Sequence, residues 1–381
     1  MNPRFAVVIT IFLSIFALIN YYIGWHAQLF LSHVFHIQHF TIWWICYWLI
    51  AFSYIIGRLG SRYLPYSLSS VLKKIGSYWF AVMYFTFILL PFVDLAALVL
   101  WLFSVPLSLS VLILGSLLCL VVLLLMARGL WNARNPIVRT YEMSIPKDGG
   151  QLDKLRVAVA SDIHLGSVVG NKKLQVLVDQ INALNPDLIL LPGDIIDDDI
   201  KPFIRHNMGA VMKQLRSRLG IYAVLGNHEY MGGHIQEFTE QMSAIGIDVL
   251  MDRSVKIADS FYVIGRKDKA AEHGGPSGRE ELDALLASVD KTLPLILMDH
   301  QPHRLDKAEA AGVDIMLSGH THRGQMMPNH LITRRLFELD WGYLKKGNLH
   351  AVVSSGFGTW GPPVRIGSRS EVIELIIHFE G

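Results

Sequence analysis

Four long apolar segments in the first third of the chain constrain its fold most strongly. Each approaches or exceeds the roughly 20 residues that an α-helix needs to cross a lipid bilayer. They cover residues 5–25, 41–57, 78–103 and 107–127. Asp94 is the only acidic residue before Arg128, whereas charged residues occur at ordinary density after it. The sequence therefore predicts a four-helix transmembrane domain over residues 1–134, a linker over 135–151 and a further domain over 152–381.

Basic residues in the short connections predict the orientation of these helices, because Lys and Arg concentrate in cytoplasmic loops. The connection between the second and third segments carries four of them, Arg58, Arg62, Lys73 and Lys74, while the other two connections carry none. Arg4 precedes the first segment and Arg128 follows the last. We therefore expect a multi-pass protein of the cell membrane with both termini and the further domain in the cytoplasm.

Polar residues within the apolar region allow more than one interpretation. Asp94 lies inside the third segment, where a carboxylate is either functional or hydrogen bonded for helix packing. Four histidines, His26, His33, His36 and His39, favour an interfacial helix after the first segment over a metal site. Cys46 and Cys119 both fall within apolar segments and predict no disulfide framework.

The charge balance argues against one class of partner. The formal net charge is +2, and no run of basic residues is interleaved with aromatic residues as a nucleic-acid surface requires. We therefore expect no nucleic-acid partner.

The further domain alternates short β-branched runs with longer helical stretches, which is typical of a layered α/β fold. Predicted strands cover 155–161, 188–191, 221–225, 261–264, 293–298 and 313–317, and predicted helices cover 172–184 and 208–217. Five of these strands end in possible ligands: Asp162 and His164, Asp194, Asn227 and His228, Asp299 and His300, and His320 and His322. Strand-end loops gather distant residues at one edge of a sheet.

These side chains suit a particular kind of metal site. Carboxylate, amide and imidazole donors without a thiolate favour Mn, Fe, Zn, Ni or Co. A carboxylate such as Asp194 can bridge two ions about 3.5–4 Å apart, which is the spacing used for in-line attack on phosphorus. The residues alone leave the identity of the metal open.

The chain resembles the calcineurin-like metallophosphoesterase superfamily in five motifs: Asp162-x-His164, Gly193-Asp194, Gly226-Asn227-His228-Glu229, Asp299-His300 and Gly319-His320-Thr321-His322. Residues 353–365 and Gly324-Gln325 are similar to a bacterial membrane-associated branch that includes a hydrolase of UDP-2,3-diacylglucosamine. The resemblance implies a four-layer αββα sandwich, placed here after the four-helix transmembrane region.

The resemblance also implies two divalent metal ions and a role for each matching residue. The first ion would be held by Asp162, His164, Asp194 and His322, and the second by Asp194, Asn227, His300 and His320. A hydroxide between the ions would attack phosphorus. His228 would stabilise the developing charge or protonate the leaving oxygen, and Glu229 is the adjacent carboxylate that would tune it.

Other polar residues near these motifs allow two roles each. Arg323 stands where the branch usually has Gly, so it either binds phosphate or faces solvent. Arg365 is a candidate substrate contact. Asp197, Asp198 and Asp199 favour a loop or a helix start over metal binding.

The substrate is predicted from the segment after the last motif. Residues 326–348 combine apolar, aromatic and basic side chains, which suits either contact with anionic lipid or a cap over the sheet. We therefore expect a metal-dependent phosphoester hydrolase acting on a phosphoester or pyrophosphate, with a lipid-linked substrate and the membrane as partners. The alternatives are a transmembrane transporter or sensor with a regulatory phosphoesterase-like domain, and a scaffold with structural metals.

Overall fold

The structure is a computed structural model that describes residues 3–273 and 278–381. The side chains of Arg4 and Arg62, used in the orientation argument, lie outside the described residues. The chain divides into two compact units. One unit, here called the membrane unit, comprises Met1–Leu130 and Pro362–Val364, and the other, the α/β unit, comprises Trp131–Gly361 and Arg365–Gly381.

Long helices dominate the membrane unit. They are α1 Pro3–Phe35, α2 Thr41–Leu59, α3 Tyr66–Leu102 and α4 Leu107–Arg134. All four are long and apolar enough to cross a membrane, judged by length and composition. The prediction of four such segments is confirmed, but their bounds differ. Because α1 continues to Phe35, His26 and His33 lie within it, and the separate interfacial helix predicted for them is wrong.

Asn20, a buried residue of α1, accepts hydrogen bonds from two other helices, one at its side chain and one at its backbone carbonyl. The indole Nε1 of Trp79 on α3 donates to Oδ1 of Asn20 on α1 at 2.9 Å. The hydroxyl of Tyr47 on α2 donates to the carbonyl oxygen of Asn20 at 2.7 Å. Hydrogen bonds of this kind hold membrane helices together, typically by about 0.6–2 kcal/mol each. Asn20 therefore sets which faces of α1, α2 and α3 meet.

Two six-stranded sheets form the centre of the α/β unit. The first has the order β1-β12-β2-β3-β4-β5 and consists of β1 Ile137–Ile145, β2 Lys154–Val159, β3 Leu188–Pro192, β4 Ile221–Val224, β5 Ile247–Val249 and β12 Glu371–Phe379. The second has the order β10-β11-β9-β8-β7-β6 and consists of β6 Arg253–Ile257, β7 Phe261–Gly265, β8 Leu295–Met298, β9 Ile315–Ser318, β10 Gly342–Lys346 and β11 Leu349–Val353.

Apolar side chains from both sheets fill the space between them. Val157 and Leu190 of the first sheet and Val263 and Ile315 of the second belong to one buried cluster. Burial of each such side chain stabilises the fold by roughly 1.5–3 kcal/mol. The outer face of the first sheet carries helices that include α5 Asn171–Ala183, α6 Lys201–Arg205, α7 Met208–Met212 and α9 Ile235–Ala244. The outer face of the second carries α10 Leu282–Leu285 and α11 Leu305–Ala310. These layers are the predicted αββα arrangement.

The segment predicted to be a linker contains a strand. In β1, Ile137 to Ile145 pair in parallel with Glu371 to Phe379 of β12, so most of 135–151 belongs to the first sheet. Buried residues alternate along the end of β1, as expected for a strand with one face on the core. The prediction of a linker over 135–151 is therefore wrong.

Candidate metal centre

The strand-end residues predicted from the sequence meet at one place in the α/β unit. Loops after β2, β3 and β4 come from neighbouring parallel strands of the first sheet, and loops after β8 and β9 from neighbouring parallel strands of the second. The loops also hydrogen bond to one another, because the amide of Asp162 donates to the carbonyl of Gly193 at 3.1 Å and that of Gly319 to the carbonyl of His300 at 2.9 Å. The two sheets therefore deliver their ligands to a common edge.

Asp162, His164 and His322 form a first group of ligand atoms that all lie within 4.8 Å of one another. Nε2 of His322 is 3.0 Å from Nε2 of His164 and 3.4 Å from Oδ1 of Asp162. Burial lowers the pKa of His164 to about 3 and that of His322 well below its usual value. Neutral imidazoles that face each other and a carboxylate across such short distances present lone pairs to a cation.

Asp194, His300 and His320 form a second group within the same limit. Nδ1 of His300 lies 2.8 Å from the carbonyl oxygen of Pro192, which only accepts, so Nδ1 carries a proton. With Nδ1 engaged by the backbone, Nε2 is the ring nitrogen that faces Asp194, the arrangement usual for a metal-binding histidine. Nε2 is buried and makes no well-formed hydrogen bond with the described residues, although it lies 3.1 Å from Oδ2 of Asp194. Such an orphaned buried nitrogen fits a metal ion.

One oxygen of Asp194 faces both groups. Oδ2 is 3.1 Å from Nε2 of His300 and 3.9 Å from Nε2 of His164. Oδ1 accepts the backbone N–H of His228 at 2.9 Å, which fixes the rotation of the carboxylate. Burial would raise the pKa of Asp194, but the neighbouring imidazoles, His300 foremost, lower it more. The carboxylate is therefore ionised and stands between the two groups.

Asn227 lies beside the second group. It begins α8 Asn227–Gly232, and its Oδ1 is 2.8 Å from Nδ1 of His320. The structure thus brings all seven predicted ligand residues together: Asp162, His164, Asp194, Asn227, His300, His320 and His322.

Five of these residues have left-handed backbone conformations. The φ angles are 52° for Asp162, 51° for His164, 52° for Asp194, 69° for His320 and 49° for His322. Residues with a Cβ adopt this region rarely, at a cost of roughly 1–2 kcal/mol each. Several such residues at one place are typical of a functional site.

His228 lies at the edge of the first group, and its ring centroid is 4.6 Å from that of His164. Nδ1 of His228 is 2.7 Å from Oδ1 of Asp198 and 3.7 Å from Oδ1 of Asp197. Burial alone would lower the pKa of His228, but the adjacent carboxylate of Asp198 and the other surrounding carboxylates raise it to about 9. Asp198, which the sequence favoured as part of a loop, is therefore the carboxylate that tunes His228.

The carboxylate of Glu229 contacts backbone groups and not the ring of His228. Its buried carboxylate accepts three backbone N–H groups, those of Gly226 at 2.7 Å, Ile196 at 3.0 Å and Asp194 at 3.2 Å. Burial and the charge of Asp194 raise its pKa to about 7. The prediction that Glu229 tunes His228 is wrong, because its oxygens hold the loops after β3 and β4 together.

The two predicted substrate contacts, Arg323 and Arg365, lie in different surroundings. The guanidinium of Arg323 stacks on the ring of Trp341, 3.8 Å from its centroid. Arg365 is fully buried, and its Nη2 donates to the carbonyl oxygens of Gly358 at 2.7 Å and Gly356 at 3.1 Å. The predicted phosphate contact of Arg365 is wrong because no solvent reaches the side chain. It lies behind His322, with Nη2 3.3 Å from Nδ1 of that ring.

Aromatic rings flank the site. The ring centroid of Trp360 lies 6.3 Å from that of His228, and the Trp360 side chain is exposed. On the other side, the ring centroid of Phe337 lies 6.1 Å from that of His320. Phe337 directly follows α12 His330–Leu336, a helix with no buried residue.

Comparison with known proteins identifies the family. The family model described as calcineurin-like phosphoesterase matches residues 155–324. An uncharacterized metallophosphoesterase of Aquifex aeolicus is 30% identical over 253 residues, covering 64% of this chain and 95% of that protein. The chain belongs to the calcineurin-like phosphoesterase family.

Other relatives are longer than this chain. The proteins named "Transmembrane protein with metallophosphoesterase domain" of Danio rerio and Bos taurus are 31% and 32% identical to it, over 267 and 263 residues. Each alignment covers 65% of this chain, and the chain spans 59% of the length of each of these relatives. Among solved structures, TT1561 of Thermus thermophilus aligns with a TM-score of 0.38 and 12% identity, over 54% of this chain and 90% of that one.

Proposed function

We propose that this protein is a membrane-anchored hydrolase that uses two divalent metal ions to cleave a phosphoester or pyrophosphate bond of a lipid-linked substrate. The observation that supports it most is the position of Asp194. Its ionised carboxylate directs one oxygen toward the imidazoles of both ligand groups. Two separate sites that share a carboxylate are the arrangement used for attack on phosphorus.

Each ion has its own set of side chains in this proposal. Asp162, His164, Asp194 and His322 hold the first ion. Asp194, Asn227, His300 and His320 hold the second. When bound, such ions lower the pKa of an attacking water and neutralise charge on the phosphoryl oxygens.

His228 is proposed to hold the proton that the leaving oxygen needs. Its Nδ1 is engaged by Asp198 at 2.7 Å, which leaves Nε2 as the ring atom available to a substrate. The nearby carboxylate orients the ring in the manner of an acid–base histidine. Glu229 supports this residue only indirectly, through the backbone of the loop that carries it.

The lipid part of the proposal is supported by the surface beside the site. Leu331, Ile332 and Leu336 of α12 are exposed, Leu336 by 67%, and Arg334 and Arg335 stand among them. Trp360, 59% exposed, flanks His228. Exposed apolar residues mixed with basic ones suit the headgroup region of an anionic membrane. With the orientation predicted from the basic loops, this membrane surface is the cytoplasmic leaflet.

Hydrolysis by the purified full-length protein in micelles tests the proposal. A panel of lipid and water-soluble phosphoesters and pyrophosphates is incubated with added manganese, comparing wild type with Asp194→Ala and His228→Ala. We expect metal-dependent turnover of one lipid class, lost in both variants. Bound metal should fall in Asp194→Ala and persist in His228→Ala.

Two substitutions serve as matched controls. Asp259→Ala removes a highly exposed carboxylate, and His378→Ala removes a histidine whose partner is Glu142 on the surface. Both should retain turnover and metal. Absence of turnover on every substrate, despite a full complement of metal, would contradict the hydrolase. Equal turnover of lipid and soluble substrates would contradict only its lipid specificity.

A further inference from the structure

A long cavity lies among α1, α3 and α4, within the membrane unit. Its volume is about 590 Å³. One wall follows α4 from Leu107 to Met126, a length of about 29 Å at the helical rise of 1.5 Å per residue. The volume divided by this length gives a mean cross-section of about 20 Å². The cavity is therefore a slot with the width of a single hydrocarbon chain and nearly the length of the bilayer core.

The walls of the slot are almost entirely apolar. Leu114 and Leu118 of α4, Leu90 and Val93 of α3, and Phe30 of α1 are among the lining residues. Such walls favour a hydrocarbon chain over water or a polar solute. Asp94, in the last third of α3, and His26 of α1 also line the slot, and they give it one polar end.

Hydrogen bonds at the polar end determine its charge. Nδ1 of His26 lies 3.0 Å from the carbonyl oxygen of Tyr22, which only accepts, so Nδ1 carries a proton. Nε2 of His26 lies 2.7 Å from Oδ1 of Asp94, and this contact needs one more proton, either on the ring or on the carboxyl group. In both cases the two side chains together carry no net charge.

The same end has unused acceptor capacity. The hydroxyl of Tyr22 donates to Oδ2 of Asp94, so within the described part of the chain each carboxyl oxygen has a single partner. A carboxyl oxygen accepts two hydrogen bonds, and the Asp94 side chain is 45% exposed. The end of the slot is thus neutral and offers acceptors to a ligand.

We propose that the slot binds a single-chain amphiphile with an uncharged hydroxyl head. The hydroxyl donates to Asp94, and the chain lies along α4 toward Met126. The oxygens of an anionic head are acceptors, so they would face the acceptor oxygens of Asp94 without a hydrogen bond between them. An ammonium head would add an unbalanced charge to a neutral pair in a medium of low dielectric constant, where charge is expensive.

The two cysteines provide the experiment. Cys119 lines the slot, whereas Cys46 on α2 is not among its lining residues. In full-length Cys46→Ser protein in detergent micelles, the rate of Cys119 modification by N-ethylmaleimide is followed by intact-protein mass spectrometry. Hexadecanol, hexadecanoate and hexadecylamine are added at equal mole fractions. Cys119→Ser protein, labelled at Cys46 under the same conditions, reports effects of the amphiphiles on the micelle.

Hexadecanol is expected to slow Cys119 labelling about tenfold more than hexadecanoate does, because the hydroxyl of hexadecanol donates one hydrogen bond to Asp94 that hexadecanoate does not make. Labelling of Cys46 should not change. Asp94→Leu should abolish the preference for hexadecanol. If the leucine variant does not fold, Asp94→Asn is used instead; it keeps one acceptor oxygen and should reduce the preference. Equal protection by all three amphiphiles, strongest protection by a charged one, or no protection at all would overturn the proposal.

Discussion

Substitution of Glu229 tests whether this residue supports the backbone or takes part in the chemistry. Oε2 accepts the amides of Gly226 and Asp194, and Oε1 accepts that of Ile196. In Glu229→Gln the amide oxygen can replace Oε2, but its NH₂ group then faces the N–H of Ile196. The N–H of Ile196 and the amide N–H that faces it are then both buried donors without an acceptor, which costs about 2–6 kcal/mol at about 1–3 kcal/mol each. In Glu229→Ala all three donors lose their acceptor, at about 3–9 kcal/mol.

The expected shifts follow from these values. A unit of this size loses roughly 2–4 °C of melting temperature per kcal/mol, so Glu229→Gln should melt about 4–24 °C below wild type. The alanine variant loses an amount comparable with the whole stability of a typical domain, about 5–15 kcal/mol, and should not fold. The assay is thermal unfolding of the full-length protein in micelles with a chelator present, so that metal binding does not contribute.

Glu237→Gln is the matched control, since Glu237 is an exposed glutamate of α9 whose neighbour is His234. Its melting temperature should equal that of wild type. An unchanged melting temperature for Glu229→Gln, together with lost turnover, would refute the structural role and restore the catalytic one.

Two further substitutions separate roles that the sequence had assigned differently. Asp198→Asn removes the charge beside Nδ1 of His228, so turnover should fall about 10-fold to 100-fold with bound metal unchanged. Turnover is measured together with metal content by mass spectrometry. An unchanged rate would exclude Asp198 as the partner of His228. Arg365→Met leaves the carbonyl of Gly358 without its donor, whereas that of Gly356 keeps the backbone N–H of Glu371, so the melting temperature should fall while KM of the folded fraction stays constant. A raised KM at constant stability would instead indicate a substrate contact.

The place where the proposed ligands meet could be predicted because its signal in the sequence is local. His320 and His322 stand two residues apart directly after β9, and Asp162 and His164 stand likewise after β2. A strand brings whatever follows it to the edge of its sheet, so the motif and its place on a strand were enough. The predicted strands agree with β2, β3, β4, β7, β8 and β9 to within a few residues.

The remaining features depend on contacts between distant parts of the chain. β1 pairs with β12, more than two hundred residues later, and its charged residues Arg139 and Glu142 hide the strand pattern. Glu229 and Asp198 are both acids near His228, and only the rotation of α8 decides which carboxylate meets the ring. Arg365 follows two prolines in a loop whose path no local rule specifies, so its burial behind His322 could not be foreseen.

The left-handed conformations of the proposed ligand residues lower the stability of the fold at positions that the proposed function needs. Glycine would adopt those φ angles without strain, so replacing His164 or His322 with glycine would relax the backbone while deleting a proposed ligand. Under the proposed function, selection for metal binding is what keeps side chains at these positions. On that proposal, a descendant of this chain that no longer needed the site is expected to acquire glycine at these positions first, before its fold changes.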